Sequence, residues 1–405
     1  MGSRWFVDGK NIRECISAVV GFFVLSPVLI SGTSLGTETE EIEATEATEE
    51  TEETEETETT EAVERGNTLI CDTCNHRVIE VDGVGTTILW TYSAGAARPY
   101  DAERLDNGNT LIAEWIPDLG PGRVVEVDSS GNTVWQMGGF DFPMDVERLA
   151  NGNTLITDSW GGCVVEVDPL LNVVWDKSDD LVNPADAERL PNGNTLIVDL
   201  GNNRVVEVNP EGTIIWVTPW SGSLSLQDVE RMPSGNTLVT SFLPGWGMAF
   251  EIDSLFNIIW QESASVSPTD AERLPNGNTL ICEAYHNNAV VEVDSAGNVV
   301  WAVSGLGLNW VNDVERLYPT AEKLIEDVIE EIEATTFPAG TENAIIKKLY
   351  GALAKLDTDN ADAVVGKLGA FVNQVNALLS SGRITQAQAD ELTEAVMEII
   401  DMIEG

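Results

Sequence analysis

The chain has 405 residues, and its 68 acidic side chains outnumber 21 basic ones, which gives a formal net charge of -47. A charge this negative repels phosphate backbones, and no basic stripe offsets it, so nucleic-acid binding is excluded. Only two histidines are present, which argues against a three-histidine metal site or a histidine relay. The length allows two or three domains, and 43% hydrophobic residues is ample for buried cores.

Residues 1–36 are interpreted as a signal peptide or an N-terminal anchor. An uncharged apolar run at residues 15–32 follows Arg4, Lys10 and Arg13, which is the order of a secretory signal. A run of this length also suffices for a marginal membrane anchor, the only membrane association that we predict. Both interpretations predict an extracellular or cell-surface protein.

Residues 37–64 are almost wholly Thr, Glu and Ala. Such a segment cannot bury enough apolar surface to offset its ordering entropy, and its like charges favour an extended form. We therefore predict a disordered stalk before the first folded domain.

The tetrapeptide Gly-Asn-Thr-Leu occurs six times, at spacings of 41 to 44 residues. A period of this length with strand-like composition is typical of a β-propeller. The copy at residues 186–216 has four short strands separated by turn residues. We predict a mainly β fold, a six-bladed propeller over residues 65–318.

The ends of the repeat predict how the ring closes. The first copy lacks its own innermost strand, whereas an extra strand of that type, Asp313 to Leu317, follows the last complete copy. We expect this strand to join the first blade, so that both ends of the ring meet in one sheet. Stability should then come from neighbouring blades that stack face to face.

Some residues recur once in every blade and have structural explanations. A large aromatic residue at one position of each unit predicts packing between blades. The Glu-Arg pair that recurs in the first strand should form ion pairs between or within blades, because a buried unpaired charge is costly. The recurring aromatic residues are Trp90, Trp135, Trp175, Trp216, Trp260 and Trp301.

The blade unit resembles the NHL-repeat propeller, with Asn75-His76-Arg77 and Asn202-Asn203-Arg204 at the position of its G-N-H-R loop. The terminal Val-Val-Trp and the N-G-N-T-L turn are similar to the arylsulfotransferase propeller. That resemblance implies a histidine as sulfuryl acceptor, and NHL-type lyases similarly use histidines with metals. His76 and His286 are the candidate catalytic residues of this alternative.

Most residues that break the repeat should lie on one face of the disc. Antiparallel strands place the second-to-third-strand loops and the connections between blades on the same side. Aromatic rings beside carboxylates suit the faces of sugars, and the same rings also suit a protein partner. The candidate ligand-binding residues are Trp115, Trp160, Trp246, Trp220, Trp310 and Tyr285.

A ring of aspartates should surround the central channel on that face. Six carboxylates could hold a hard cation such as Ca²⁺, which takes six to eight oxygen ligands. The alternative is that the aspartates accept hydrogen bonds from loop amides. The ring consists of Asp101, Asp145, Asp186, Asp228, Asp270 and Asp313.

The spacing of Cys71 and Cys74 in Cys-Asp-Thr-Cys allows a local disulfide. A single pair of this type, without a second pair or suitably spaced histidines, is a weak zinc signal. No other cofactor is predicted.

Residues 319–405 change to Ala, Leu, Glu and Lys with helical spacing, and we predict four helices there. This stretch resembles the FIMAH module through Pro-Ala-Gly-Thr-Glu-Asn, residues 370–375 and the final Ala-x-Glu-Leu. The resemblance implies a location at a cell surface.

The sequence therefore favours an exported binding or adhesion module for a glycan or a surface protein. The alternatives are an arylsulfotransferase-like or lyase-like enzyme that uses the same face, and a purely structural envelope component.

Overall fold

The computed structural model describes residues 66–117, 120–220, 224–242, 247–262, 267–284, 288–335, 337, 341–356 and 361–404. The strands of this part form six four-stranded antiparallel sheets, and four helices follow them. The predicted six-bladed β-propeller with a small helical C-terminal part is confirmed. The predicted signal or anchor and the predicted stalk lie outside the described residues.

Each sheet is one blade. Blade 1 contains β1 (Asn67–Asp72), β2 (Arg77–Val81) and β3 (Ile88–Ser93). Blade 2 contains β4 (Arg98–Arg104), β5 (Thr110–Trp115), β6 (Gly122–Val127) and β7 (Thr133–Phe140). Blade 3 contains β8 (Pro143–Arg148), β9 (Thr154–Asp158), β10 (Cys163–Val167) and β11 (Val173–Lys177).

The other blades repeat this order. Blade 4 contains β12 (Pro184–Arg189), β13 (Thr195–Asp199), β14 (Arg204–Val208) and β15 (Ile214–Val217). Blade 5 contains β16 (Leu226–Arg231), β17 (Thr237–Ser241), β18 (Met248–Ile252) and β19 (Ile258–Glu262). Blade 6 contains β20 (Pro268–Arg273), β21 (Thr279–Glu283), β22 (Ala289–Val293) and β23 (Val299–Ala302).

The ring closes as predicted. The last strand, β24 (Val311–Leu317), pairs with β1 and becomes the innermost strand of blade 1. It also contacts the innermost strands of both neighbouring blades, β4 and β20. Both ends of the propeller therefore lie in one sheet.

The repeated glycine of Gly-Asn-Thr-Leu enters the second strand of each blade from a tight turn. All six of these glycines have a positive φ, between 73° and 85°. Residues with a Cβ rarely adopt this conformation, which explains why glycine stands at each copy. The leucine three residues further on is almost fully buried in every blade.

The core of the propeller is divided among the blade interfaces. Each of its six hydrophobic clusters combines residues of two adjacent blades. One cluster joins Ile70 and Ile79 of blade 1 to Leu280 and Trp301 of blade 6. A blade therefore buries its apolar faces only against its neighbours, as expected for stacked repeats.

A charged contact repeats at every blade interface. The arginine that ends an innermost strand pairs with the third-strand glutamate of the preceding blade, as Arg104 does with Glu80 at 2.9 Å. The same guanidinium lies over the fourth-strand tryptophan of that blade, 5.1 Å from the ring centre of Trp90. We call this contact the interblade clamp. Its ion pairs are Arg104–Glu80, Arg148–Glu126, Arg189–Glu166, Arg231–Glu207, Arg273–Glu251 and Arg316–Glu292.

The glutamate next to each clamp arginine has a different role. Glu103 Oε2 accepts the backbone N–H of Arg148 at 2.7 Å, and the equivalent glutamate does the same at each interface. The predicted packing of the repeated tryptophans between blades is confirmed, and Trp301, at 7% exposed, is the most buried of the six.

The C-terminal helices are α1 (Ala321–Ala334), α2 (Glu342–Leu356), α3 (Ala361–Ser380) and α4 (Gln386–Glu404). Thr320 caps α1, because its side chain accepts a hydrogen bond from the Lys323 backbone N–H. Apolar residues of all four helices form one core with Phe371 among its fully buried members. None of the described helices combines the length and apolar character that a membrane span needs.

Candidate functional site

One side of the propeller carries the loops that differ between blades. Each innermost strand begins beside the end of the second strand, as Arg98 pairs with Trp115 and Pro143 pairs with Asp158. The second-to-third-strand loops and the connections between blades therefore share one side, as predicted. We call it the loop face, and its described loops include residues 72–77, 115–117, 158–163 and 199–204.

Four aromatic rings of blades 2 and 3 meet on the loop face. Trp160 lies 5.6 Å from Trp115 and 4.8 Å from Phe142, measured between ring centres. Tyr100 contacts Phe142 edge to face at 4.7 Å. We call Tyr100, Trp115, Phe142 and Trp160 the aromatic cluster.

The two predicted tryptophans in this cluster differ in exposure. Trp160 is 54% exposed, and every other tryptophan in the described part of the chain is half-buried or buried. Trp115 is 8% exposed and packs beneath it, between Trp160 and Tyr100. Trp160 can therefore offer a ring to a ligand, while Trp115 holds that ring in place.

The loop that carries Trp160 is fixed by Asp158. Its carboxylate accepts backbone N–H groups from Asp141 at 2.9 Å, Phe142 at 2.7 Å and Gly161 at 3.2 Å. A Cβ on Gly161 would collide with the same carboxylate, so glycine is required at this close approach. The exposed ring is therefore attached to a well-defined turn, which lowers the entropy cost of binding.

The aromatic cluster reaches the mouth of the central channel through Tyr100. The channel mouth is a cavity of about 40 Å³ that is lined by all six ring aspartates. Tyr100 occupies the position two residues after the start of β4, and the equivalent residues of the other blades complete the wall. They are Met144, Ala185, Gln227, Thr269 and Asn312.

The ring aspartates bind the neighbouring innermost strand. Asp101 Oδ2 accepts the Val146 backbone N–H at 2.9 Å, and the other five aspartates make the equivalent hydrogen bond. Among the described residues, no three His, Cys, Asp or Glu side chains are grouped so that they could hold one metal ion. The calcium ring stays a prediction, and the geometry assigns these aspartates a structural contact.

The ring aspartates and the glutamates next to the clamp arginines, which we together call the channel acids, include groups with raised pKa values. Burial is the largest cause for Asp145 and Asp313, whose pKa values rise to about 7 and about 6. Burial likewise raises the pKa of Glu103 to about 7 and that of Glu315 to about 8. Repulsion from neighbouring channel carboxylates acts in the same direction.

The other predicted aromatic residues lie apart from this cluster. Trp220 packs edge to face on Phe250 at 5.6 Å, and Trp310 lies 6.2 Å from Phe242. Both belong to connections between blades and are half-buried. Trp246, Tyr285 and His286 lie outside the described residues.

The candidate catalytic residue His76 has a structural contact. It adopts a left-handed conformation with φ of 57°, and its Nδ1 lies 2.7 Å from the Ala97 carbonyl oxygen. This contact holds the loop against the connection to blade 2. The enzyme alternative stays a prediction.

None of the four described cysteines forms a disulfide, so the Cys71–Cys74 bond that the sequence allows is absent from the structure. The reason is the direction of Cys71, which is fully buried and interacts with Asp313 in the channel wall. Burial and the neighbouring carboxylates raise the pKa of the Cys71 thiol. This thiol is therefore poorly suited to nucleophilic chemistry.

Three residues of the site were missed in the sequence interpretation: Arg98, Tyr100 and Phe142. All three precede a ring aspartate at positions where the other blades carry unrelated residues. This variation within an otherwise strict repeat was the feature of the sequence that could have identified them as site residues.

No protein-family model and no curated protein matches the chain. A protein of unknown function from Bacteroides caccae is 15% identical, with a TM-score of 0.52 over 62% of this chain and 98% of its own. A virginiamycin B lyase from Staphylococcus aureus is 13% identical, with a TM-score of 0.40 over 50% of this chain and 68% of its own. The WD40 propeller domain of Doa1 is 10% identical, with a TM-score of 0.46 over 63% and 84%.

At 15% identity, the similarity to the Bacteroides caccae protein supports the fold and says nothing about function. The resemblances to NHL-repeat, arylsulfotransferase and FIMAH proteins are not confirmed.

Proposed function

We propose that the propeller is a cell-surface binding module that recognises a glycan with the aromatic cluster of its loop face. The observation that supports this most is the exposed indole of Trp160, held in contact with Trp115 and Phe142. Folding normally buries so large an apolar ring, and a ring fixed at the surface offers contact area at low entropy cost.

A sugar suits this surface for two reasons. The Trp160 ring can stack against the C–H groups of a pyranose. Asn312 and Gln227 line the channel mouth together with Tyr100 of the aromatic cluster, and they can bind hydroxyl groups of a sugar that reaches the mouth. A surface protein is the alternative ligand that the experiment below distinguishes.

The test is a glycan array probed with the full chain and with Trp160→Ala. We expect binding of at least one glycan class and a loss of at least tenfold in affinity for the variant, because a central tryptophan often dominates a binding site. Tyr350→Ala is the matched control, since Tyr350 of α2 is 55% exposed and belongs to the helical domain. Equal binding by all three proteins, or binding to no glycan, contradicts the proposal.

A further inference from the structure

A single arginine of the propeller stands apart from all the others. The described propeller contains ten arginines, and nine of them form an ion pair with a carboxylate. Within this described part of the chain, Arg98 forms none. In a chain with 68 acidic residues, a half-buried guanidinium without a carboxylate partner needs an explanation.

Arg98 lies next to the aromatic cluster. Its Cζ is 5.7 Å from the centre of the Trp115 ring, the same ring that supports Trp160 from another side. It also lies close to Tyr100. Burial raises the pKa of Tyr100 to about 12, and the positive charge of Arg98 acts in the opposite direction. The Nε atom of Arg98 is buried and has no hydrogen-bond partner in the structure, as is also the case for five of the six clamp arginines, so the missing carboxylate partner is what distinguishes Arg98.

The propeller fold does not require a cation at this position. Three residues before the ring aspartate, the other blades have Phe142, Asn183, Ser225, Ser267 and Trp310. All of these side chains are uncharged. Arg98 is therefore a feature of blade 2, next to the loop that carries Trp160.

We infer that the site binds an acidic saccharide, whose carboxylate or sulfate group pairs with Arg98 while a sugar ring stacks on Trp160. This inference rests on the function proposed above and names the ligand class. With Nε buried, the edge formed by the two Nη atoms is the part of the guanidinium that can make paired hydrogen bonds with an oxyanion.

The net charge of -47 does not prevent such binding. At physiological ionic strength, charges more than about 8 Å away are largely screened. A direct contact with Arg98 acts well within that distance. Asp101, the ring aspartate of the same strand as Arg98, has a raised pKa because it is buried and lies among like charges.

The experiment measures affinities by calorimetry for three oligosaccharides of equal length: an oligouronate, a sulfated oligosaccharide and a neutral one. The proteins are the full chain, Arg98→Met, Arg98→Lys and the control Arg383→Met. Met keeps an apolar stem over Trp115, Lys keeps the charge without the paired geometry, and Arg383 is an exposed residue between α3 and α4.

We expect the parent protein to prefer an acidic ligand over the neutral one by at least tenfold. Arg98→Met should lose about tenfold to a hundredfold for that ligand, the usual effect of removing a hydrogen bond to a charged group. Arg98→Lys should fall in between, and Arg383→Met should bind like the parent. Comparison of the affinities for the oligouronate and the sulfated oligosaccharide shows whether a carboxylate or a sulfate group is bound.

Three results would overturn the inference. Equal affinity for neutral and acidic ligands rejects it but leaves the glycan-binding proposal intact. A similar loss for all ligands in Arg98→Met shows that the arginine only supports the loop. Failure of the parent to bind any saccharide rejects both proposals together.

Discussion

Arg316 and Arg104 make the same interblade clamp in different surroundings. The Arg316 and Glu292 side chains are 0% and 1% exposed, whereas those of Arg104 and Glu80 are 20% and 16% exposed. Removal of one partner from a fully buried pair leaves an uncompensated charge in a region of low dielectric. The same removal near solvent lets water reach the remaining carboxylate.

We therefore predict that Arg316→Met lowers the free energy of unfolding by about 3–5 kcal/mol. Arg104→Met should cost only about 1 kcal/mol. Urea denaturation of both variants and the parent measures the difference. Equal losses would show that the clamp stabilises every interface alike, irrespective of its burial.

At the level of single residues, sequence reasoning identified the position of Trp160 but not its difference from Trp115. Trp115 ends the second strand of blade 2 and Trp160 lies two residues after that of blade 3, so the local pattern places both in the same loop region. Their exposure depends on Tyr100 of β4 and on Phe142 of the connection between blades 2 and 3. The exposure of each tryptophan could therefore be known only once the packing of blades 2 and 3 was known.

The strand β24 connects three blades. It supplies the innermost strand of blade 1, and its Arg316 and Asp313 bond to blades 6 and 2. The helices instead have a separate hydrophobic core built from helical residues and their immediate flanks. The propeller should therefore depend on β24 and not on the helices.

We predict that a chain ended after residue 318 keeps a cooperatively unfolding propeller, whereas one ended after residue 310 loses it. The shorter chain lacks the pairing of β24 with β1, which leaves an unpaired edge and an open ring. Near-ultraviolet circular dichroism and thermal unfolding measure the outcome. Similar unfolding transitions in both chains would contradict the role of β24.

Much of the fold could be predicted because the repeat is local in sequence. Glycine at a positive φ, a buried leucine and a continuously buried second strand recur in each copy, so the blade count and the closing strand follow. The partners of the clamp arginines could not be predicted. They lie about one blade away, and the choice between Glu80 and Glu103 depends on how adjacent sheets stack.

The channel acids affect the stability of the molecule as a whole. Glu188 and Glu272 share the raised pKa of about 7, and burial is the largest cause for both. Unfolded carboxyl groups titrate near 4. Because the folded pKa is the higher one, the folded state holds these protons more tightly, so this stabilisation is complete below about pH 4 and is lost as the pH rises towards 8.

We therefore predict a higher thermal midpoint at pH 5 than at pH 8. Asp145→Asn combined with Glu315→Gln should reduce the difference, because two titrating groups become permanently neutral. The exposed Glu211→Gln is the control and should leave the pH dependence unchanged. A midpoint that rises from pH 5 to pH 8 would be the opposite of this expectation.

The account of function depends on ligand binding at the aromatic cluster, and a crystal structure with the best glycan from the array tests this most directly. We predict a sugar ring stacked on Trp160, with its acidic group beside Arg98. A ligand on the opposite face of the propeller, next to turns such as Asn192–Gly193, or on the helical domain, would contradict the account.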